Sequence, residues 1–201
     1  MKKWEYVLIG LSAGIVIGVI ISATFVRLSI DKNKLIDWNK VFTVIEEPEV
    51  KVNSKYPNLN SEEYLYIHSL CEAMNVSMDL VIGILFTENP GMKVDATHLN
   101  QNGTIDIGLF QLNDRYLWST FVPSYWVAEV EFDPFNWKHN SFIAISHISY
   151  LKQRMKSDKL TVLSYNCGIG AVINNTVPES SYRYLEQVNS YVELFNLVEE
   201  K

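Results

Sequence analysis

An uncharged apolar run near the amino terminus places the first constraint on this chain. The run extends from Tyr6 to Val26, is rich in Val, Ile and Gly, and follows a pair of lysines. As a helix rising about 1.5 Å per residue it reaches roughly 30 Å, the thickness of a bilayer's hydrocarbon core. A cleaved signal peptide has a shorter apolar region, about 7–15 residues, and Ile21-Ser22-Ala23 is a poor cleavage site. The sequence therefore predicts an uncleaved, single transmembrane helix.

The residues after this helix predict a stalk followed by one domain. Residues 28–60 have weak periodicity, and their second half is polar and carries Pro48 and Pro57, which is typical of a linker. We therefore divide the chain into an anchor (residues 1–27), a stalk (28–60) and a domain (61–201). Positive charges flank both ends of the anchor, so charge alone does not orient it in the membrane.

Composition and spacing exclude several classes of function. The net charge is −6 and Lys and Arg are scattered, so no basic surface points to nucleic acid. Neither an H-E-x-x-H nor a C-x-x-C pattern occurs, and the histidines and cysteines lack the spacing of metal ligands. We therefore predict no catalytic metal and no cofactor, and two small buried thiols rather than a disulfide. The histidines in question are His68, His98, His139 and His147, and the cysteines are Cys71 and Cys167.

The domain has the pattern of a mainly helical protein. Ser61 is a good N-cap for a first helix, and Ser77 for a second helix that Pro90-Gly91 would end after Glu88. Further helices are expected from Gly108 to Trp118, from Ser141 to Met155 and from Tyr182 to Val198. No run predicts a confident strand, although the loop between the second and third helices has room for a small hairpin.

Two carboxyl groups in this region are candidates for acid chemistry. Glu88 closes an apolar helix, where apolar neighbours would disfavour its charged form, and Asp106 lies in a polar loop. Such a pair suits general acid catalysis. The residues alone are also compatible with a solvated helix-end Glu and a loop Asp that makes a turn. For Asp106 we expect this second role, in which it accepts backbone N–H bonds in the turn before Gly108.

The same stretch resembles a known enzyme family. Residues 88–90 (E-N-P) and 106–113 (D-I-G-L-F-Q-L-N) resemble the E-S…G-L-M-Q-I-N signature of the lysozyme-like lytic transglycosylases, whose soluble-lytic-transglycosylase type domains cleave peptidoglycan. Three later pieces are similar to further motifs of that family, in the same order, so that the resemblance covers roughly residues 61–191. They are F-D-P-F-N (132–136) with Tyr150-Leu151, S-Y-N-C-G (164–168) and Y-L-E-Q-V (184–188).

The resemblance implies a fold and a reaction. The fold would be a mainly α, lysozyme-like (α+β) domain with at most a small β-hairpin. The protein would be a membrane-anchored peptidoglycan lytic transglycosylase, with its domain on the extracytoplasmic side and glycan strands as its partner. Glu88 would be the general acid and then the base that closes a 1,6-anhydro ring. Gly108, Gln111, Asn113, Tyr165, Asn166 and Tyr184 would contact the substrate. The resemblance leaves open a role in an envelope-spanning secretion or conjugation machine.

Three alternatives stay open. Asp106 lies where the c-type lysozymes, which are similar over this stretch only, keep a second carboxylate, so a hydrolase using Glu88 and Asp106 is one. A non-catalytic glycan-binding or scaffold domain is another. A third concerns residues 119–136, where Tyr125 or Trp126 would either stack on sugar or fill the core.

The chain departs from the family pattern at two positions. These are Asn89, where Ser is usual, and Cys167, where Ala is usual.

Overall fold

A computed structural model describes Tyr56, residues 59–117 and residues 132–199, with side chains as far as residue 196. The predicted membrane anchor, most of the predicted stalk, and Tyr125 and Trp126 lie outside the described residues. Within these ranges no helix is long and apolar enough to cross a membrane. The described chain is mainly helical, as predicted, and carries one small antiparallel sheet.

The first two helices lead to the candidate site. Helix α1 is Ser61–Met74 and helix α2 is Met78–Glu88. The cap of α1 is Asn60 and not the predicted Ser61, because the Asn60 side chain accepts the N–H of Glu63 at 2.9 Å while Glu63 accepts the N–H of Asn60 at 3.0 Å. The predicted cap of α2 is confirmed, since Ser77 accepts the N–H of Leu80.

A short sheet follows, where the sequence predicts at most a hairpin and then a helix. Strands β1 (Thr97–Leu99), β2 (Ile105–Ile107) and β3 (Leu112–Asn113) pair antiparallel in that order. The helix predicted from Gly108 is therefore wrong for residues 108–116. Gly108 and Gln111 have φ values of +79° and +49°, which an α-helix cannot contain, and β3 then pairs with β2.

Four helices complete the described domain: α3 (Trp137–Met155), α4 (Asp158–Cys167), α5 (Ile169–Ile173) and α6 (Glu179–Glu199). Helix α3 begins before the predicted Ser141, because Asn136 caps it by accepting the N–H of Lys138 at 3.0 Å. The predicted last helix lies within α6. Helix α4 holds most of the S-Y-N-C-G motif.

The packing is organised around α2, whose residues Leu80 to Phe86 are all buried. Its most extensive partner is α6, and the two helices cross closely at Gly83. A Cβ atom there would lie 3.1 Å from the carbonyl oxygen of Val188 and 3.2 Å from Val192 Cγ2. This crossing brings the start of α6 to the end of α2, where Glu88 lies.

The packed domain begins before its predicted boundary at Ser61. Tyr56 and Leu59, both assigned to the stalk from the sequence, are each only 3% exposed. The Tyr56 hydroxyl donates to Asp79, and its ring packs edge-on against Phe195 with centroids 4.8 Å apart. The end of the predicted stalk is therefore part of the core.

The two cysteines are free thiols. Cys71 is buried as predicted, and burial raises the pKa of its thiol well above the usual range. Cys167 is only half-buried, so that part of the prediction is wrong. Its thiol donates to the carbonyl of Leu163 on the preceding turn of α4, at 3.1 Å.

Candidate active site

Glu88 is the last residue of α2 and lies at the end of its buried face. The residue is half-buried, and the hydroxyl of Tyr184 on α6 donates to its Oε1 at 2.7 Å. Tyr184 is itself only 8% exposed. The close crossing of α2 and α6 thus delivers a phenol to a carboxyl group 96 residues away in sequence.

The surroundings of Glu88 favour its protonated form. Removal of the carboxyl group from water raises its pKa from the ordinary 4.5 to about 7, in spite of the Tyr184 hydrogen bond, which lowers it. The negative charge of Asp106 is a further, smaller cause that raises the pKa. Near neutral pH Glu88 therefore populates both the acid and the base form, as a group that donates and later accepts a proton requires.

Asp106 has contrasting, polar surroundings in the middle of β2. Its Oδ2 accepts from the side-chain amide of Asn100 at 2.8 Å, and its Oδ1 accepts from that of Asn113 at 2.7 Å. The prediction that Asp106 accepts backbone N–H bonds in the turn is therefore wrong, because its hydrogen bonds within the described part of the chain come from two side-chain amides. The amides hold the carboxylate in one orientation on the sheet.

The sheet register explains why these groups meet. Asp106 is paired with Asn113 on β3 and with His98 on β1, so the three side chains share one face. The opposite face carries Ile107 and Leu112 into the core. Buried Thr104 supports the polar face. The Asn113 amide, which donates to Asp106, also donates to the Thr104 hydroxyl oxygen at 2.9 Å.

Two predicted substrate contacts are occupied with the protein's own backbone. Gly108 is buried, and its N–H donates to the carbonyl of Ala96 at 2.8 Å. The Gln111 amide donates to the carbonyl of Gly108 at 2.8 Å and to that of Ala96 at 3.3 Å. These bonds account for both residues structurally, and their contact with a substrate stays a prediction.

Helix α4 contributes two residues with different exposures. The Tyr165 hydroxyl donates to the carbonyl of Phe110 at 3.0 Å. Burial raises its pKa well above the usual range, and the nearby charges of Glu88 and Asp106 raise it further. Asn166 is exposed, and its Oδ1 accepts from the hydroxyl of Ser181 at 2.7 Å. Its amide N–H groups are thereby oriented away from Ser181.

His147 lies beside Tyr165. Its ring is 5.8 Å from that of Tyr165 between centroids, and burial lowers its pKa to about 4. It is therefore a neutral neighbour at physiological pH. Among the described residues, no group of three or more His, Cys, Asp and Glu side chains is arranged to hold a metal ion.

Asn89, the departure beside the candidate acid, supports the loop instead of contacting the acid. It is 6% exposed, and its amide donates to the carbonyls of Lys93 at 2.8 Å and Leu109 at 3.3 Å. Its Oδ1 accepts the N–H of Lys93 at 3.1 Å. An Asn, with both donor and acceptor atoms, ties the end of α2 to the turn before β3.

The structure therefore brings Glu88, Tyr184, Asp106 and Tyr165 together, and it holds Asn113 against Asp106. Comparison of the chain with protein-family models, with curated proteins and with solved structures gives no match. The site must therefore be interpreted from its own geometry.

Sequence reasoning missed three polar residues that support this site: Asn100, Thr104, and Asn140, whose buried amide donates to the carbonyl of Ile107 beside Asp106 at 3.0 Å. Asn100 and Thr104 lie in a loop rich in polar residues, where no local pattern selects them. Asn140 carried a usable signal, because it is a polar residue next to the apolar run Phe142 to Ile145 of α3. Buried polar side chains of this kind need hydrogen-bond partners.

The raised pKa of Glu88 predicts a pH-dependent stability. Between about pH 4.5 and 7 the folded protein keeps a proton that the unfolded chain releases, so stability is greatest below this window and falls as pH rises through it. Because the residue is half-buried, we expect a loss on the order of 1–3 kcal/mol. Urea unfolding at pH 4.5 and pH 8 measures it, and Glu88→Gln should lack this component. Equal pH dependence in both proteins would contradict the raised pKa.

Proposed function

We propose that this protein cleaves the glycan strands of peptidoglycan as a lytic transglycosylase, with Glu88 as its general acid. The observation that carries this proposal is the hydrogen bond between Glu88 and Tyr184 at the end of an apolar helix, with the charge of Asp106 near enough to raise the pKa of Glu88. A carboxyl group kept out of water lowers the stability of a fold at neutral pH. The presence of such a group at Glu88 therefore favours a catalytic role. The resemblance of the surrounding motifs supplies the substrate class.

The two oxygens of Glu88 have separable roles in this reaction. Tyr184 donates to Oε1, and among the described residues Oε2 accepts no hydrogen bond. A proton on Oε2 is therefore free to pass to the glycosidic oxygen between N-acetylmuramic acid and N-acetylglucosamine. The C1–O bond then breaks, and its electron pair stays with the leaving N-acetylglucosamine oxygen.

The same carboxyl group completes the reaction as a base. The charged Glu88 accepts the proton of the muramic acid 6-hydroxyl, whose oxygen forms the new bond to C1 and closes a 1,6-anhydro ring. Atoms and protons balance without water, and Glu88 returns to its starting form. A pKa near 7 supports both steps, because neither protonation state is strongly disfavoured.

Asn166 is the most accessible of the predicted substrate contacts. It is exposed, and the Ser181 hydroxyl occupies its carbonyl oxygen, which leaves its amide N–H groups as donors. An acetamido carbonyl of the sugar is the matching acceptor.

The proposal also includes the membrane anchor, an extracytoplasmic location and service to an envelope-spanning machine. The anchor and the location would hold the domain beside the cell wall.

A specific observation favours a second function, hydrolysis by a lysozyme-type mechanism. Asp106 is oriented by the Asn100 and Asn113 amides, and its charge raises the pKa of Glu88. One acid with a raised pKa and one hydrogen-bonded carboxylate are the pair that retaining glycosidases use as acid and nucleophile. In that reaction water would complete the cleavage and leave a reducing end.

Mutation of Asp106 separates the two functions. If the protein is a transglycosylase, Asp106→Asn lowers the rate of wall cleavage by less than about tenfold, or ~1.4 kcal/mol, because no second carboxylate takes part. Mass analysis of muropeptides released from purified cell wall should then show 1,6-anhydro ends. Reducing ends, together with a loss on the order of a thousandfold in Asp106→Asn, would identify the hydrolase.

A further inference from the structure

Asn140 is a fully buried polar residue that links three separate segments. It lies on α3 with 0% exposure. Its Oδ1 accepts the backbone N–H of Phe110 at 2.8 Å, and its amide donates to the carbonyls of Ile107 and Pro134, each at 3.0 Å. Both amide protons and the amide oxygen are therefore used, as the burial of such a group requires.

These bonds fasten the turn that joins β2 to β3. Ile107 ends β2, and Phe110 lies in the turn before β3, so Asn140 holds the turn at both sides. Gly108 lies between them with its Cα against the amide, since a Cβ atom there would be 2.3 Å from Asn140 Nδ2. The turn is thus seated directly on α3.

Two residues of the candidate site, Tyr165 and Asp106, are attached to the backbone groups that Asn140 holds. The carbonyl of Phe110, whose N–H bonds to Asn140, accepts the Tyr165 hydroxyl at 3.0 Å. Asp106 immediately precedes Ile107 in β2. A displacement of the turn would therefore move Asp106 and Tyr165 relative to Glu88.

We propose that Asn140 is a positioning residue of the candidate active site, which fixes the Ile107–Phe110 turn and thereby holds Asp106 within electrostatic reach of Glu88. The catalytic role of Glu88 in this proposal rests on the proposed function, whereas the hydrogen bonds of Asn140 do not depend on it. Asn140 reaches neither carboxylate. It acts through three backbone groups, which would be left buried and unpaired without its side chain.

The protonation of Glu88 reports on this positioning. Tyr184 from α6 donates a hydrogen bond to it, and Asp106 from β2 and Tyr165 from α4 lie near enough to interact with it electrostatically. Moving Asp106 away reduces the repulsion that favours the protonated acid, and loosening the turn admits water. Both changes lower the pKa of Glu88, whereas a purely structural role for Asn140 lowers only the free energy of unfolding.

The test is a titration of the Glu88 carboxyl group by ¹³C NMR in the full chain, kept in detergent and labelled at its Glu side-chain carboxyl carbons. Glu88→Gln assigns the resonance. We expect Asn140→Ala to lower the midpoint by at least about 0.5 unit. The matched control is Asn136→Ala, which removes the cap of the same helix at a cost of about 1 kcal/mol but no bond to the turn, and leaves the midpoint unchanged.

Hydrogen exchange at the Phe110 amide tests the contact in the wild-type protein, even if Asn140→Ala does not fold. The bond to Asn140 predicts slow exchange there, although the residue lies in a turn. An unchanged Glu88 midpoint in folded Asn140→Ala, or exchange of the wild-type amide at the rate of an unstructured chain, would overturn the proposal. Neither measurement uses a substrate, so a protein that shows the shift but cleaves no wall disproves the proposed function alone.

Discussion

Replacing Glu88 with Gln should reduce cleavage of purified peptidoglycan by about 10²–10⁴-fold, the range that a general acid contributes. The substitution keeps the shape of the side chain and an oxygen that accepts from the Tyr184 hydroxyl, but it removes the transferable proton. The rate of muropeptide release, measured by mass analysis over time, gives the effect. Activity within a few-fold of the wild type would exclude Glu88 as the acid and favour the non-catalytic scaffold.

Two measurements separate loss of chemistry from loss of fold. Above pH 7, Glu88→Gln should be at least as stable as the wild type, because it avoids a charged carboxylate in a site poor in water. The matched control is Glu186→Gln, which removes the same charge from an exposed position on α6 and should leave the cleavage rate unchanged. A variant that is inactive and stable is the result expected for a catalytic residue.

Gly108→Ala should be among the most destabilising small substitutions in the domain, with a loss of about 2–5 kcal/mol. Gly108 has φ +79°, which costs an L-residue about 1–2 kcal/mol. In addition, the new Cβ atom would lie 2.3 Å from Asn140 Nδ2 and 2.5 Å from the carbonyl oxygen of Pro134, so the buried turn must shift. Urea unfolding, followed by far-ultraviolet circular dichroism, measures the change.

Gly103→Ala is the control that isolates the steric part. Gly103 has nearly the same φ, +77°, but no heavy atom would lie within 4 Å of its added Cβ. It should therefore lose only the backbone cost of about 1–2 kcal/mol. Equal losses in the two variants would mean that the turn yields easily, and would also weaken the assigned role of Asn140.

Local signals in the sequence were sufficient for most of the helical framework. Ser77 caps α2, and the helix ends at Glu88, just before Pro90-Gly91, as predicted. Capping bonds and turn residues act over a few neighbouring positions, so a single sequence displays them. The same reasoning misplaced the start of α1 by choosing Ser61, because Asn60 is an equally good cap and the competition between adjacent caps is decided by backbone conformation.

The strand at Leu112–Asn113 shows where local reasoning fails. Its residues lie in an apolar run whose periodicity suits a helix, and only pairing with Asp106 and Ile107 makes them a strand. The burial of Tyr56 is a similar case, since it depends on Asp79 and Phe195 rather than on its polar neighbours in the chain.

The sequence by itself determined the candidate acid and its immediate setting, because Glu88 follows an apolar helix and precedes a Pro-Gly stop. Only the tertiary structure decided the groups that act on that acid. Tyr184 meets it through a helix crossing at Gly83, and the charge of Asp106 acts on it from a sheet seated on Asn140. Hydrogen bonds and charges act over a few ångströms in space between segments that are distant in sequence, so the motifs could name Tyr184 and Asp106 as site residues but not show how each acts on Glu88.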